Sequence, residues 1–208
     1  MKELTDPSRR QFLRSTALGL AAAAIPLPAL AGRDSKEAPI TLKGRSCFTM
    51  WQIPSHENNI GNSYVFRTHC GRLIVMDGGM PAESMFLRGF LGAMGGEVEA
   101  WFISHPHGDH MGALLELLRD RQELRIKHIY HSRMPEPVIQ AEPDYEAHCR
   151  EFYAMLDTLT DIQVTDIQTA GETFCWDGMN LQILGVANDF TTNPYNNSSM
   201  VVRVWDRR

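Results

Sequence analysis

Six consecutive residues, His105-Pro106-His107-Gly108-Asp109-His110, place three imidazoles and one carboxylate in a single short loop. All four are side chains that zinc accepts as ligands. The run Ala100-Trp101-Phe102-Ile103-Ser104 before them reads as a buried strand, and Met111 to Leu118 after them as an amphipathic helix. A loop between strand end and helix start is where α/β proteins place their sites. Pro106 biases His105 away from helical backbone, and Gly108 permits a sharp turn, so neighbouring side chains can be aimed at one point or two close ones. Taken singly, each residue has a plain reading. A strand histidine is commonly packed or solvated, and Asp109 at a helix start can accept bonds from free amides. Four together at this spacing point to metal binding.

The pattern His-x-His-x-Asp-His, filled here by His105, His107, Asp109 and His110, resembles the signature of the metallo-β-lactamase superfamily. Asn62-Ser63-Tyr64-Val65-Phe66 and Gly71 to Met76, followed by Asp77-Gly78-Gly79, are similar to that family's opening strand pair and its turn. The resemblance runs from about Ser46 onward. It implies an α/β fold, the αββα sandwich, with His105 and His107 helping to hold a first zinc and Asp109 and His110 a second. It also implies that Asp77 braces the metal loop from behind, although a plain turn aspartate accounts for Asp77 almost as well.

The activity implied is hydrolysis. One or two zinc ions lower the pKa of water to about 7 and stabilise charge on the attacked group. Asp109 ligates, orients the nucleophile and can take up a proton, so it is the expected catalytic residue. The Asn-x-Ser-x-Val pattern at Asn197-Ser198-Ser199-Met200-Val201 is closer to the competence-protein and phosphodiesterase-like branch than to true β-lactamases. An ester or phosphoester substrate is therefore expected, with a β-lactamase or lactonase activity, or a non-catalytic metal-binding domain, as alternatives. In that branch later segments, Gly-Asp and His-His-Gly, supply further ligands. The sequence is thus expected to cover the N-terminal two-thirds of the domain, C-terminally incomplete, with an exposed edge strand carrying Met200, Val202 and Val204. Substitute ligands could come from His128, His131, His148 or Asp189, with His131 foremost, although each is more readily structural or solvated.

Ser8-Arg9-Arg10-Gln11-Phe12-Leu13-Arg14 resembles a twin-arginine export signal. An alanine-rich stretch, Ser15 to Leu27, follows; it is too short for a stable transmembrane helix. Ala29-Leu30-Ala31 supplies a small-x-small processing site, with cleavage after Ala31. The expected organisation is a signal peptide over 1–31, a short linker over 32–45 and the metallo-β-lactamase-like domain over 46–208. The twin-arginine translocase is then the export partner, the destination periplasmic or extracellular, and membrane contact confined to the leader. The leader takes four basic residues (Lys2, Arg9, Arg10, Arg14) and two acidic ones (Glu3, Asp6) from totals of 20 and 25. The rest carries 16 basic and 23 acidic side chains, a net charge of −7, which argues against an extended nucleic-acid footprint. Cys47, Cys70, Cys149 and Cys175 form no Cys-x-x-Cys pair and are expected to be mostly buried; three disulfide pairings remain open.

Apolar patterning predicts strands over 46–53, 62–68, 71–76, 99–104, 126–131, 163–168, 180–186 and 198–205. Helices are expected over 82–94, with Phe86, Leu87, Phe90, Leu91 and Met94 on one face, and over 110–120, burying Leu114, Leu117 and Leu118. A third opens at Pro143, with Asp144 and Glu146 favourable in its first turn and a stripe of Tyr145, Cys149, Phe152, Tyr153, Leu156 and Leu159.

Overall fold

Leu73-Ile74-Val75-Met76 and Ala100-Trp101-Phe102 are continuous apolar runs because the strands they form are covered on both faces. The computed structural model describes residues 46–55 and 60–206; the export signal, Arg9, Arg10, the Ala31 site and the linker lie outside them. One sheet has the order β1-β2-β3-β4-β6-β7, formed by β1 (Phe48–Gln52), β2 (Ser63–Thr68), β3 (Leu73–Asp77), β4 (Glu97–Phe102), β6 (His128–His131) and β7 (Gln163–Asp166). The short β5 (Arg125–Ile126) pairs with β4 beside this path. β1 to β3 are antiparallel, whereas β3, β4, β6 and β7 run parallel. A second sheet of three antiparallel strands has β9 (Met179–Gly185) between β10 (Val201–Asp206) and β8 (Thr173–Trp176).

Alternation divides the core in two. Leu73, Val75, Trp101 and Ile129 point toward the helices, where they meet Leu87, Leu91, Leu114, Leu117 and Phe152. Ile74, Phe102 and Tyr130 point the other way, onto Met179, Leu181 and Ile183 of the second sheet. The layers described are therefore helix, sheet and sheet. In β4 the pairing skips Glu99, so Val98 and Ala100, two apart, enter opposite cores, as a bulge requires.

The helices are α1 (Ser84–Ala93), α2 (Gly108–Arg119), α3 (Glu136–Gln140), α4 (Pro143–Thr158) and α5 (Pro194–Asn197). α2 buries Leu114, Leu117 and Leu118 as expected, and α4 starts at Pro143. In α1 the apolar face is narrower than its sequence suggests: Leu87 and Leu91 are buried, while Phe86 lies 42% exposed against Phe90. Among the described residues no helix is long and apolar enough to cross a membrane.

Several expectations need correction. Strand β8 was not foreseen, although the Asp177-Gly178 pair that follows it takes positive φ at both residues, the backbone of a two-residue hairpin. Residues 198–200 are not strand. Asn193 adopts φ 44°, α5 follows, and Ser198 closes it before β10 begins at Val201. Met200 is buried and Val202 and Val204 pack against the inter-sheet core, so these side chains do not form an exposed face. Only Cys149 is buried; Cys47 is intermediate, Cys70 and Cys175 are exposed, and all four are free.

Candidate metal centre

The cluster lies beyond the carboxyl ends of β3 and β4, where parallel strands leave backbone free to turn outward. Asp77 ends β3 with φ 55°, a left-handed conformation that Asp tolerates better than most residues. Gly78 then donates to the His110 carbonyl at 2.6 Å, and Ala113 donates to the Gly79 carbonyl at 3.0 Å, docking the turn on the first turns of α2. A Cβ on Gly79 would stand 2.0 Å from Glu83 Oε2, and one on Gly112 2.5 Å from Pro81 Cδ. Glycine at 79 leaves room for the Glu83 carboxylate, and glycine at 112 lets α2 approach Pro81.

Asp77 organises the loop. It is buried, and its Oδ1 accepts the Ser104 amide at 2.8 Å, while Oδ2 accepts the Ser104 hydroxyl and His110 Nδ1–H, both at 2.9 Å. With Nδ1 held, His110 Nε2 turns toward Asp109 Oδ2 at 3.5 Å. His105 is fixed similarly. Its Nδ1 lies 3.1 Å from both Ser104 Oγ and Ser199 Oγ. The Ser104 proton goes to Asp77 and the Ser199 proton to the Asn196 carbonyl, at 2.8 Å for the latter. Both oxygens thus offer lone pairs, so Nδ1 of His105 carries the hydrogen and Nε2 is a bare donor atom.

That Nε2 lies 3.0 Å from His107 Nδ1. Two nitrogens on one tetrahedral zinc are about 3.3 Å apart, given Zn–N bonds of about 2.0–2.1 Å. His107 packs against Tyr145, at 4.5 Å between ring centroids, and against Tyr195, stacked at 5.0 Å. Its Nε2 is buried, makes no hydrogen bond, and lies 3.4 Å from Glu142 Oε1. Asp109 sits in the first turn of α2, where His107 is the N-cap residue; its carboxylate faces His110, so capping does not explain it. As placed, the described residues bring no three such donors to one point, because His105 and His107 bond each other directly. Donor types and the 3.0 Å pair, which includes the bare Nε2 of His105, nevertheless fit a metal.

Burial, reinforced by His110 and His107, pushes the His105 pKa down to about 2, keeping the ring in the neutral, ligating form. Burial also lowers that of His107, against the pull of Glu142 and Asp109. For His110 burial acts downward too, but the Asp77 hydrogen bond and the Asp77 and Asp109 charges outweigh it and raise the pKa.

The structure thus joins His105, His107, Asp109, His110 and Asp77. The substitute ligands considered do not join them. His131 is buried against Tyr153, on the face of β6 opposite His128, and His148 and Asp189 are exposed. Two contributors were missed. Glu142 precedes α4 and reaches His107, and Ser199 comes from beyond α5. No local signal marks Glu142, whereas the Asn-x-Ser-x-Val pattern already singled out the segment holding Ser199.

Residues 57–164, more than half of the chain, match the profile of the metallo-beta-lactamase superfamily. The chain belongs to that superfamily. Metallo-β-lactamase superfamily members are generally hydrolases and generally bind metal ions, zinc or iron. No curated protein matches the sequence. Among solved structures, the metallo-beta-lactamase fold protein YhfI of Bacillus subtilis is 16% identical, with a TM-score of 0.48 over 78% of this chain and 59% of that one. A mutant metallo-β-lactamase with a HARLDQ motif, from Cronobacter sakazakii, is also 16% identical, with a TM-score of 0.45 over 69% and 51%. The chain therefore spans little more than half the length of these two structures.

Proposed function

We propose that this metallo-β-lactamase superfamily protein is an exported zinc-dependent hydrolase that cleaves an ester or phosphoester bond. The observation that carries the reading is how the imidazoles are held. Asp77 grips His110, and two serine hydroxyls grip His105, each by Nδ1, which leaves Nε2 of both rings for the cluster. His105 and His107 would hold one ion, and Asp109 and His110 a second. Bound zinc would supply an acidified water, with a pKa of about 7, and a contact that stabilises negative charge on the attacked oxygen. Asp109, partly exposed beside His110, is placed to accept a proton. The preference for an ester or phosphoester follows from the Asn-x-Ser-x-Val pattern, and export from Arg9-Arg10 and the Ala31 site.

Elemental analysis of the dialysed protein, paired with hydrolysis assays, tests this. Two ligands per ion leave each position open to water, so at most about one zinc should survive dialysis, and His107→Ala should lose it. Bis(p-nitrophenyl) phosphate or a p-nitrophenyl ester should be turned over, and a chelator should stop it. Equal zinc in wild type and His107→Ala would remove the loop as the metal site. Turnover confined to nitrocefin or a lactone would move the assignment to a β-lactamase or lactonase. Zinc without any turnover would make the protein a non-catalytic metal-binding domain.

A further inference from the structure

The two histidines at the ends of the cluster have carboxylate neighbours in mirrored positions. His110 meets Asp77 through Nδ1 and faces the cluster with Nε2. His107 faces the cluster with Nδ1, 3.0 Å from His105 Nε2, and meets Glu142 through Nε2 at 3.4 Å. An imidazole that binds a metal by one nitrogen carries its hydrogen on the other, and a carboxylate there fixes the ring's tautomer and orientation. The His107 Nε2 is buried and has no other partner.

Glu142 is itself held in place. Its Oε2 accepts the Tyr195 amide at 3.3 Å, which leaves Oε1 for His107. Tyr195 is buried, stacks on the His107 ring and donates its hydroxyl to the Ile139 carbonyl at 3.2 Å. Glu142 therefore couples the His107 ring to the α3–α4 junction and to α5, three segments distant in sequence.

We infer that Glu142 is the positioning carboxylate of His107: it accepts the Nε2–H and so directs Nδ1 to the metal. This rests on the cluster being the metal centre. Glu142 is a positioning residue and not itself a ligand, since its near oxygen faces the nitrogen on the far side of the ring.

Zinc affinity, measured by chelator competition, and 15N spectra of the histidine side chains in the zinc-loaded full chain test the inference. Wild type should show His107 metallated at Nδ1 and protonated at Nε2. Glu142→Ala should weaken zinc binding about 10- to 100-fold with saturating stoichiometry unchanged, and should shift or broaden the Nε2–H signal. Glu142→Gln keeps an acceptor and the side-chain volume; it should bind zinc with an affinity between the other two. Thermal melting without zinc establishes that each variant is folded, and Glu142→Gln carries the test if Glu142→Ala is not. Wild-type affinity with an unchanged Nε2–H signal in the folded variants would overturn the proposal and leave the metal centre standing. Metallation of His107 at Nε2, or loss of one zinc equivalent at saturation, would also overturn it. A wild-type chain that takes up no zinc would overturn both readings.

Discussion

Asp77→Asn separates a brace from a turn residue. Asn accepts the left-handed backbone at position 77, where φ is 55°, so the substitution leaves the turn unstrained. It keeps one oxygen for the Ser104 amide but replaces the oxygen that receives both the Ser104 hydroxyl and His110 Nδ1–H, each at 2.9 Å, with an NH2 donor. Two hydrogen bonds to a buried charge contribute about 1.5–3 kcal/mol each. The amide can recover part of this by donating to the serine oxygen and to a bare Nδ1, so the net loss should be about 2–3 kcal/mol. The recovery has a second consequence. A bare Nδ1 moves the His110 hydrogen to Nε2, the atom that faces Asp109, and zinc affinity should fall about 10- to 100-fold. Urea unfolding without zinc reads the first effect, and chelator competition reads the second. Asp77→Ala should be less stable again, because alanine adds about 1–2 kcal/mol for left-handed backbone. An Asn variant within about 0.5 kcal/mol of wild type, a change ordinary for surface substitutions, and with unchanged zinc affinity would refute the bracing role.

Burial pushes the His131 pKa down to about 4. Above pH 6.5 the ring is neutral in both folded and unfolded chains; as pH falls toward 4 the unfolded chain gains a proton that the folded one refuses. This residue should therefore remove about 3 kcal/mol of stability across that window, and His131→Leu should flatten the wild-type slope of urea stability between pH 7.5 and 4.5; equal slopes would exclude it. Gly112→Ala sets a methyl against Pro81 and should lower stability by about 1–3 kcal/mol, whereas a neutral result would show that the Pro81–Glu83 turn can move aside. Replacing Arg9 and Arg10 by lysine should leave the precursor in the cytoplasm at full mass; normal export and trimming of that variant would dismiss the twin-arginine assignment.

Much of the architecture follows from local rules. His105 to His107 join strand to helix, with Asp109 and His110 in the first helical turn, because apolar patterning changes period there, and α4 begins at Pro143 because proline suits a first helical position. The four candidate ligands were legible for the same reason: they lie within six consecutive residues. Strand β8 could have been found from Asp177-Gly178, whereas Phe86 and Met200 could not have been sorted into exposed and buried by periodicity, since their exposure depends on what lies opposite. The carboxylate next to His107 is 35 residues away in sequence, and the second hydroxyl on His105 is 94 away. No spacing rule connects such positions. Sequence alone determined which side chains could hold a metal, because that depends on residue type and local backbone. Tertiary structure decided which nitrogen of each ring faces inward, because a ring's orientation depends on hydrogen-bond partners that only the packing of distant segments brings into reach.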